Sequence, residues 1–278
     1  MKGLLARRRE RLLELDEVER RLQPFGRRYL GVREIPLDAL VGTDSRAGSF
    51  TRDFRPLHAF SRDRLRSLEG AFADVAFPPI VTVKLGEAYF VIDGHHRAAL
   101  ARRRGAEMID ADVTELIARV PLPAGADMLE VVLRELERIF VEDSGLAEAH
   151  PGLRVSVSRP AHYLELLENI QVHGYHMMRG RGRVLENVEI AADWYDSIYT
   201  PTLAAIDRLR LGRVYRDAQP GDLFLLLHRH RRDAFPSTGC PHLAQTVVSV
   251  IGDGGRRRLR LPGRGSRSPS STESIPNS

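Results

Sequence analysis

The sequence has little cysteine or tryptophan and no long apolar run. Among its 278 residues there is one cysteine, Cys240, and one tryptophan, Trp194. A single cysteine cannot close an internal disulfide, so nothing in the chain indicates an oxidising compartment, and we expect a cytoplasmic protein. Uncharged stretches fall short of the roughly 18 to 20 apolar residues that span a bilayer, so no membrane partner is expected.

The basic charge is concentrated at the two ends of the chain. The net charge is +5 and the isoelectric point is about 9.7. Residues 1–30 contain nine basic and five acidic side chains, residues 252–278 contain six and two, and the rest contains 27 basic and 30 acidic. A broad basic face on the folded body is therefore not expected, although the basic termini leave a nucleic-acid partner open.

The first part of the chain reads as an amphipathic helix followed by a compact α+β unit. Leucines and a valine recur at helical spacing over residues 3–22, which predicts a helix packed on the body of the protein. Further along, strand and helix patterns alternate up to about residue 117. The predicted elements are a strand at 32–41, a helix after Ser61, a hairpin of 77–85 with 86–92, a helix at 97–105 and a strand at 108–116.

The chain changes character after a Pro- and Gly-containing linker at residues 121–127. Periodic apolar positions then predict helices at 126–143, 163–177, 186–199, 201–211 and 221–235. From Gly252 onward the sequence is rich in Gly, Ser, Pro and Arg, which is typical of a disordered tail. We therefore predict four segments: an N-terminal helix at 1–29, an α+β domain at 30–117, an α-helical domain at 126–250 and a disordered basic tail at 251–278.

The most informative stretch is Val91-Ile-Asp-Gly-His-His-Arg-Ala, where a strand pattern passes through a turn into a helix pattern. Gly94 permits a sharp turn, and the first N–H groups of the following helix have no partner within it, so they can bind phosphate oxygens. Arg97 adds a charged fork that suits the same oxygens. The stretch therefore predicts an anion site.

The side chains of this turn allow more than one role. His95 and His96 can donate hydrogen bonds to a phosphate, or act as acid and base near neutral pH. Asp93 can either cap the helix or hold Mg²⁺ beside bound phosphates. The structural alternative is a capped helix start with surface histidines.

The succession of IPLDAL, an arginine-containing loop, a helix, PPIVTV, AYFVIDGHHRAALARRRG and IDADV resembles the ParB/sulfiredoxin-like domain over about residues 30–117. This resemblance implies that the Gly94 turn is a nucleotide-phosphate site. ParB proteins carry Gly-Glu-Arg-Arg at the turn, and sulfiredoxins carry Gly-Cys-His-Arg. Because His95 stands at the position of the sulfiredoxin thiol, we expect no sulfiredoxin activity.

The turn is most similar to the Asp-Gly-His-(His or Thr)-Arg of the free serine kinases in the same superfamily. The resemblance implies a catalytic acid after the first strand, for which Asp44 is the nearest candidate and Glu34 the second. It also implies that Arg46 and Phe50 belong to the superfamily's first box, beside the nucleotide. Residues 186–235 are similar to an uncharacterised bacterial α-helical domain found with ParB-like modules.

Three hypotheses follow. The leading one is a ParB-like, nucleotide-binding regulatory protein that uses ATP, ADP or CTP with Mg²⁺. The second is a kinase that phosphorylates a small hydroxy metabolite, with His95, His96 and Arg97 on the phosphates and Asp44 or Glu34 as the acid. The third is a DNA-binding protein or nuclease. A homodimer is compatible with each.

Overall fold

The computed structural model describes residues 11–45, 47–57 and 78–234. Arg46, the helix predicted after Ser61, the start of the predicted N-terminal helix and the basic tail lie outside the described residues. Within these ranges, helices occur together with a mixed six-stranded sheet, which confirms the predicted α+β class. None of the helices in these ranges combines the length and the apolar composition that spanning a bilayer requires.

The N-terminal unit is built on the sheet. Its elements are β1 (Leu13–Glu14), α1 (Leu15–Leu22), β2 (Gly26–Pro36), a 3-10 turn (Leu37–Ala39), β3 (Leu40–Thr43), β4 (Ile80–Leu85), β5 (Ala88–Asp93), α2 (His95–Arg103) and β6 (Met108–Ile117). The strand order is β1-β3-β5-β4-β6-β2. Strands β1, β3 and β5 run parallel to one another, so their carboxyl ends meet at one edge of the sheet, where α2 begins.

The predicted hairpin and the strand after it are present. Strands β4 and β5 pair antiparallel, and β6 pairs parallel to β4. The two prolines, Pro78 and Pro79, stand directly before β4, where their missing N–H groups break no ladder hydrogen bond. This explains how a strand that begins after two prolines lies in the interior of the sheet.

The predicted bounds of the strand at residues 32–41 are wrong. The structure has a longer strand that begins at Gly26, a 3-10 turn, and then the separate strand β3. The first of these strands, β2, pairs with β6 along ten residues of register, which propensity alone does not reveal. The described part of the N-terminal helix is also shorter than predicted, because Leu13 and Glu14 are not helical. They form β1, which pairs with β3.

The C-terminal unit is helical, as predicted. Its elements are α3 (Met128–Asp143), α4 (Leu146–Ala149), α5 (Pro160–Arg181), α6 (Asn187–Trp194), a π-helical turn (Tyr195–Tyr199), α7 (Thr200–Arg208), α8 (Leu211–Val214) and α9 (Pro220–Ala234). Asp127 caps α3, because its carboxylate accepts a hydrogen bond from the Glu130 N–H at 3.0 Å. Trp194 and Tyr199 are stacked and buried in the core of this unit.

The N-terminal helix α1 connects the two units. Its apolar side chains Leu15, Val18 and Leu22 are buried in a cluster that contains residues of the sheet and Val131 of α3. Arg21 of α1 also forms an ion pair with Glu135 of α3 at 2.5 Å. The helix therefore lies between the sheet and α3, and both units share part of one core.

Candidate functional site

The predicted anion site lies where β5 ends and α2 begins. Gly94 is the N-cap residue of α2, with φ of 98°, a left-handed conformation that favours glycine. A Cβ at this position would stand 2.5 Å from Cγ2 of Ile80, the first residue of β4. Glycine is therefore required at this position for two reasons, the left-handed backbone and the close approach of β4.

Arg97 holds the turn together. Its Nη1 donates to the carbonyl oxygens of Pro78 at 2.8 Å and Pro79 at 2.6 Å, and its Nη2 donates to the Asp93 carboxylate at 2.6 Å. The Arg97 side chain as a whole is 16% exposed, whereas the Asp93 side chain is 74% exposed. Arg97 therefore places a positive charge in the first turn of α2 and also fixes the start of β4.

Asp93 does not have the capping role that the sequence left open. The N-cap position belongs to Gly94, and the Asp93 carboxylate instead accepts the hydrogen bond from Arg97. Its high exposure leaves carboxylate surface accessible at the rim of the turn. An exposed carboxylate oxygen is a suitable ligand for Mg²⁺.

The two histidines are buried, which does not fit the alternative of surface histidines. Only 4% of the surface of His95 and 8% of the surface of His96 is exposed. The His95 ring is stacked on Phe50 with centroids 5.6 Å apart, and the His96 ring meets Phe50 edge-on at 5.3 Å. Oγ1 of the buried Thr43 lies 2.6 Å from His95 Nε2, within hydrogen-bonding distance.

The sheet brings one of the two predicted catalytic acids to the turn. Asp44 follows β3 directly, and its N–H donates to the Val91 carbonyl of β5 at 3.2 Å. Its side chain is exposed at the edge where β3 and β5 both end. Glu34 lies on β2 opposite Asp110 of β6, so β4 and β6 separate it from β5.

One contributor to this site, Thr43, was not predicted from the sequence. It reaches His95, 52 residues further along the chain, because β3 and β5 are parallel neighbours, and no local pattern indicates this contact. Glu14 of β1 lies beside Thr43 in the sheet, but the cavity of about 330 Å³ that Glu14 lines with Gly48 contains no residue of the turn.

The loop that carries Phe50 is fastened to the linker between the units. Arg52 Nη2 donates to the carbonyl oxygens of Gly125 at 2.8 Å and Ala126 at 2.7 Å. Burial lowers the pKa of Arg52, and the nearby carboxylate of Asp127 opposes this shift. On the other side of the loop, the Arg102 guanidinium of α2 lies 5.5 Å from the centre of the Phe54 ring.

No family model matches this chain, and no curated protein does. Among solved structures, a sulfiredoxin from Arabidopsis thaliana is 17% identical, and the alignment covers 30% of this chain and 82% of that protein, with a TM-score of 0.22. The C-terminally truncated chromosome-partitioning protein ParB from Caulobacter crescentus, complexed with CTP-gamma-S, is 19% identical, with 71% and 92% covered and a TM-score of 0.24.

A pNOB8-like ParB N-domain is 11% identical over 76% of this chain and 83% of that one, with a TM-score of 0.22. The chain is similar to both sulfiredoxin and ParB structures. These are the two groups that the sequence resemblance named. At identities of 11–19% and TM-scores of 0.22–0.24, these likenesses do not indicate what the protein does.

Proposed function

We propose that this protein binds a nucleotide, with the phosphates at the N-terminus of α2. The observation that carries the proposal is the position of this helix start: a left-handed glycine at the carboxyl ends of two adjacent parallel strands. Backbone N–H groups and the helix dipole favour negative charge at such a point, and crevices beyond the carboxyl ends of strands are common ligand sites.

Each side chain then has a role that follows from its contacts. Gly94 lets the backbone approach a phosphate closely, and Arg97 supplies positive charge while it fixes the turn. Thr43 and Phe50 hold the His95 ring in one orientation at the base of the turn. Asp93 would join Mg²⁺ through its exposed carboxylate.

The contacts between the units support a regulatory use of nucleotide binding. The loop over the histidines is bonded through Arg52 to the linker, and the buried helix α1 packs against both the sheet and α3. A change in the loop on binding would therefore act on the helical unit. Two-state coupling of this kind needs a ligand that binds one arrangement more tightly than the other.

The proposal is tested with ATP, ADP and CTP, each with and without Mg²⁺, by thermal shift and isothermal titration calorimetry. A ligand at 100 times its dissociation constant adds about 2.7 kcal/mol to stability, which raises the melting temperature by several degrees. We expect Arg97→Ala to abolish binding and Arg33→Ala, an exposed arginine on β2, to leave it unchanged. Absence of binding by every nucleotide would refute the proposal.

Because Arg97 also fixes Pro78 and Pro79, a second variant separates binding from folding. Asp93→Asn should weaken only the Mg²⁺-dependent part of nucleotide affinity, since the side chain is exposed and the proline contacts of Arg97 remain. Asp110→Asn removes an equal charge from an exposed position on β6 and serves as the control. Equal losses in both variants would exclude Asp93 as the metal ligand.

A second candidate function is phosphotransfer to a small hydroxy metabolite, which the position of Asp44 favours. Its N–H is bonded to the carbonyl of Val91, two residues before Asp93, so Asp44 lies at the same end of the strands as the proposed phosphates. A carboxylate there can orient or deprotonate an acceptor hydroxyl. If transfer occurs, Asp44→Asn should lower its rate about 100-fold or more while nucleotide still binds.

Glu34→Gln is the matched comparison for this second function, because Glu34 is the other acid that the sequence suggested. Mass spectrometry of a metabolite mixture incubated with ATP or ADP measures the product. A phosphorylated product that depends on Glu34 and not on Asp44 would contradict the assignment. Nucleotide binding without any product would support nucleotide binding and not phosphotransfer.

A further inference from the structure

Helix α5 has an exposed face that carries apolar side chains. Its buried face packs into the core of the helical unit through residues such as Leu166, Ile170 and the close-fitting Gly174. The opposite face should be polar in a helix that contacts solvent there. Instead Leu164, Val172 and Tyr175 are 71%, 51% and 57% exposed on it.

These side chains form one continuous stripe. Successive members are three or four residues apart, so they fall on one side of a helix with 3.6 residues per turn. The stripe consists of Ala161, Leu164, Glu168, Val172, Tyr175 and Arg179, all of them exposed. A seam with this spacing is the one by which two helices pack side by side.

The charges on the stripe are arranged in a way that fits a second copy of the same helix. Glu168 lies in the N-terminal half and Arg179 in the C-terminal half, with Val172 and Tyr175 between them. Within the part of the chain that the structure describes, neither charge has an ion-pair partner, although other charges of α5 do, such as Glu165 with Arg229. The stripe is therefore self-complementary in an antiparallel arrangement.

We infer that the protein self-associates through this face, α5 against α5 of a second copy, about a two-fold axis between residues 173 and 174. In that arrangement Glu168 of each copy meets Arg179 of the other, and Val172 packs against Tyr175 twice. A two-fold contact uses the same patch on both subunits, which is what a self-complementary stripe provides. A single helix pair buries little area, so the dimer forms in the micromolar range.

Sedimentation velocity of the full-length chain from low to high micromolar concentration tests the inference. We expect a monomer–dimer equilibrium in the parent protein. Glu168→Arg and Arg179→Glu each replace two attractions by two repulsions, which should raise the dissociation constant about tenfold. The double variant with both changes restores opposite charges across the axis and should return the dissociation constant to that of the parent.

Arg33→Glu, a charge reversal on the exposed strand β2, is the control and should leave the equilibrium unchanged. A monomer at every concentration would overturn the inference, and so would a dimer that ignores both reversals or is not recovered in the double variant. Hydroxyl-radical footprinting of side chains separates one further case. A monomer whose Tyr175 side chain is protected from modification would assign the face to another segment of the same chain, which also overturns the inference.

Discussion

Gly94 is the residue on which the geometry of the candidate site depends most. Its left-handed backbone and its contact with Ile80 both exclude a side chain. Gly105 offers a matched comparison, because its φ is also positive, at 74°, but a Cβ there would have nothing within 4 Å. The two glycines therefore separate backbone strain from steric overlap.

We expect Gly94→Ala to lower the free energy of unfolding by about 2–4 kcal/mol, the sum of left-handed strain and overpacking. Gly105→Ala should cost only the strain, about 1–2 kcal/mol. Urea denaturation of both variants measures the difference. Equal losses of stability in the two variants would show that β4 moves away from the added methyl group at little energetic cost.

Glu137 is a carboxylate with no exposed surface, in the interior of the helical unit. It accepts hydrogen bonds from Arg134 at 2.7 Å, from Arg154 at 2.7 and 2.9 Å, and from the Val155 N–H at 3.1 Å. The carboxylate thus joins α3 to the segment that precedes α5.

Glu137→Ala would leave two guanidinium groups without their buried partner, so we expect a loss of about 3–5 kcal/mol in the free energy of unfolding. Glu130 pairs with the same Arg134 but is partly exposed, and Glu130→Ala should cost less than about 1 kcal/mol. Chemical denaturation of the two variants provides the test. A similar small loss in both would mean that water replaces the Glu137 carboxylate.

At the residue scale, the sequence indicated which residues of the turn lie together but not which residues they contact elsewhere in the chain. Turn chemistry indicated that Asp93, Gly94 and Arg97 act together, and they do lie together. It did not reveal that Arg97 bonds Pro78 and Pro79, because that contact depends on the register between β4 and β5. Burial of the histidines likewise depends on a distant loop.

At the element scale, the helices predicted at 186–199 and 201–211 are parts of one longer helix. Pro201 would normally end a helix, because it has no N–H and its ring crowds the preceding turn. Here the π-helical turn Tyr195–Tyr199 precedes it, and the Thr202 hydroxyl donates to the Ile198 carbonyl at 2.6 Å. The wider turn lets the helix continue from Asn187 to Arg208.

Helix α9 contains a histidine that is held neutral. Burial lowers the pKa of His228 to about 4, and the positive charge of Arg231 adds to this effect. The ring lies 4.2 Å from the ring of Phe224, centroid to centroid. Because an unfolded histidine has a pKa of about 6.5, the folded state binds a proton less readily than the unfolded state.

The stability that His228 contributes is therefore complete above about pH 6.5 and is lost as the pH falls towards 4, by up to roughly 3 kcal/mol. Unfolding by urea at a series of pH values measures the slope. His228→Gln should flatten the slope in this window, whereas replacement of the exposed His176 by Gln should not. An unchanged slope in the His228 variant would assign the pH dependence to other groups.

At the scale of the whole molecule, the sequence pattern indicated strands followed by helices, and the structure has this order, but the pattern did not indicate the core that the two parts share. Leu22 of α1 is completely buried in the cluster that reaches from the sheet to α3. Amphipathic spacing predicted that this helix docks on the body. It could not specify that the docking surface comes from both units.

Leu22→Ala should destabilise both units together, by about 2–5 kcal/mol. Trp194, the single tryptophan, lies in the helical unit and reports its unfolding by fluorescence. We expect the urea midpoint of the Trp194 fluorescence transition to fall together with that of the whole protein. Leu129→Ala, at a half-exposed position on α3, should change either midpoint little. A Trp194 transition that ignores Leu22→Ala would show that the units unfold separately.

The Arg52 guanidinium has a consequence for the energetics of the whole chain. It bonds two carbonyl oxygens of the linker, and the loop that carries it also covers the histidines. A ligand that lifted this loop would have to break both bonds, so its affinity would include their free energy. By reciprocity, a second ligand that breaks these bonds at residues 125 and 126 would raise the affinity of the first, and the first would raise the affinity of the second by the same factor.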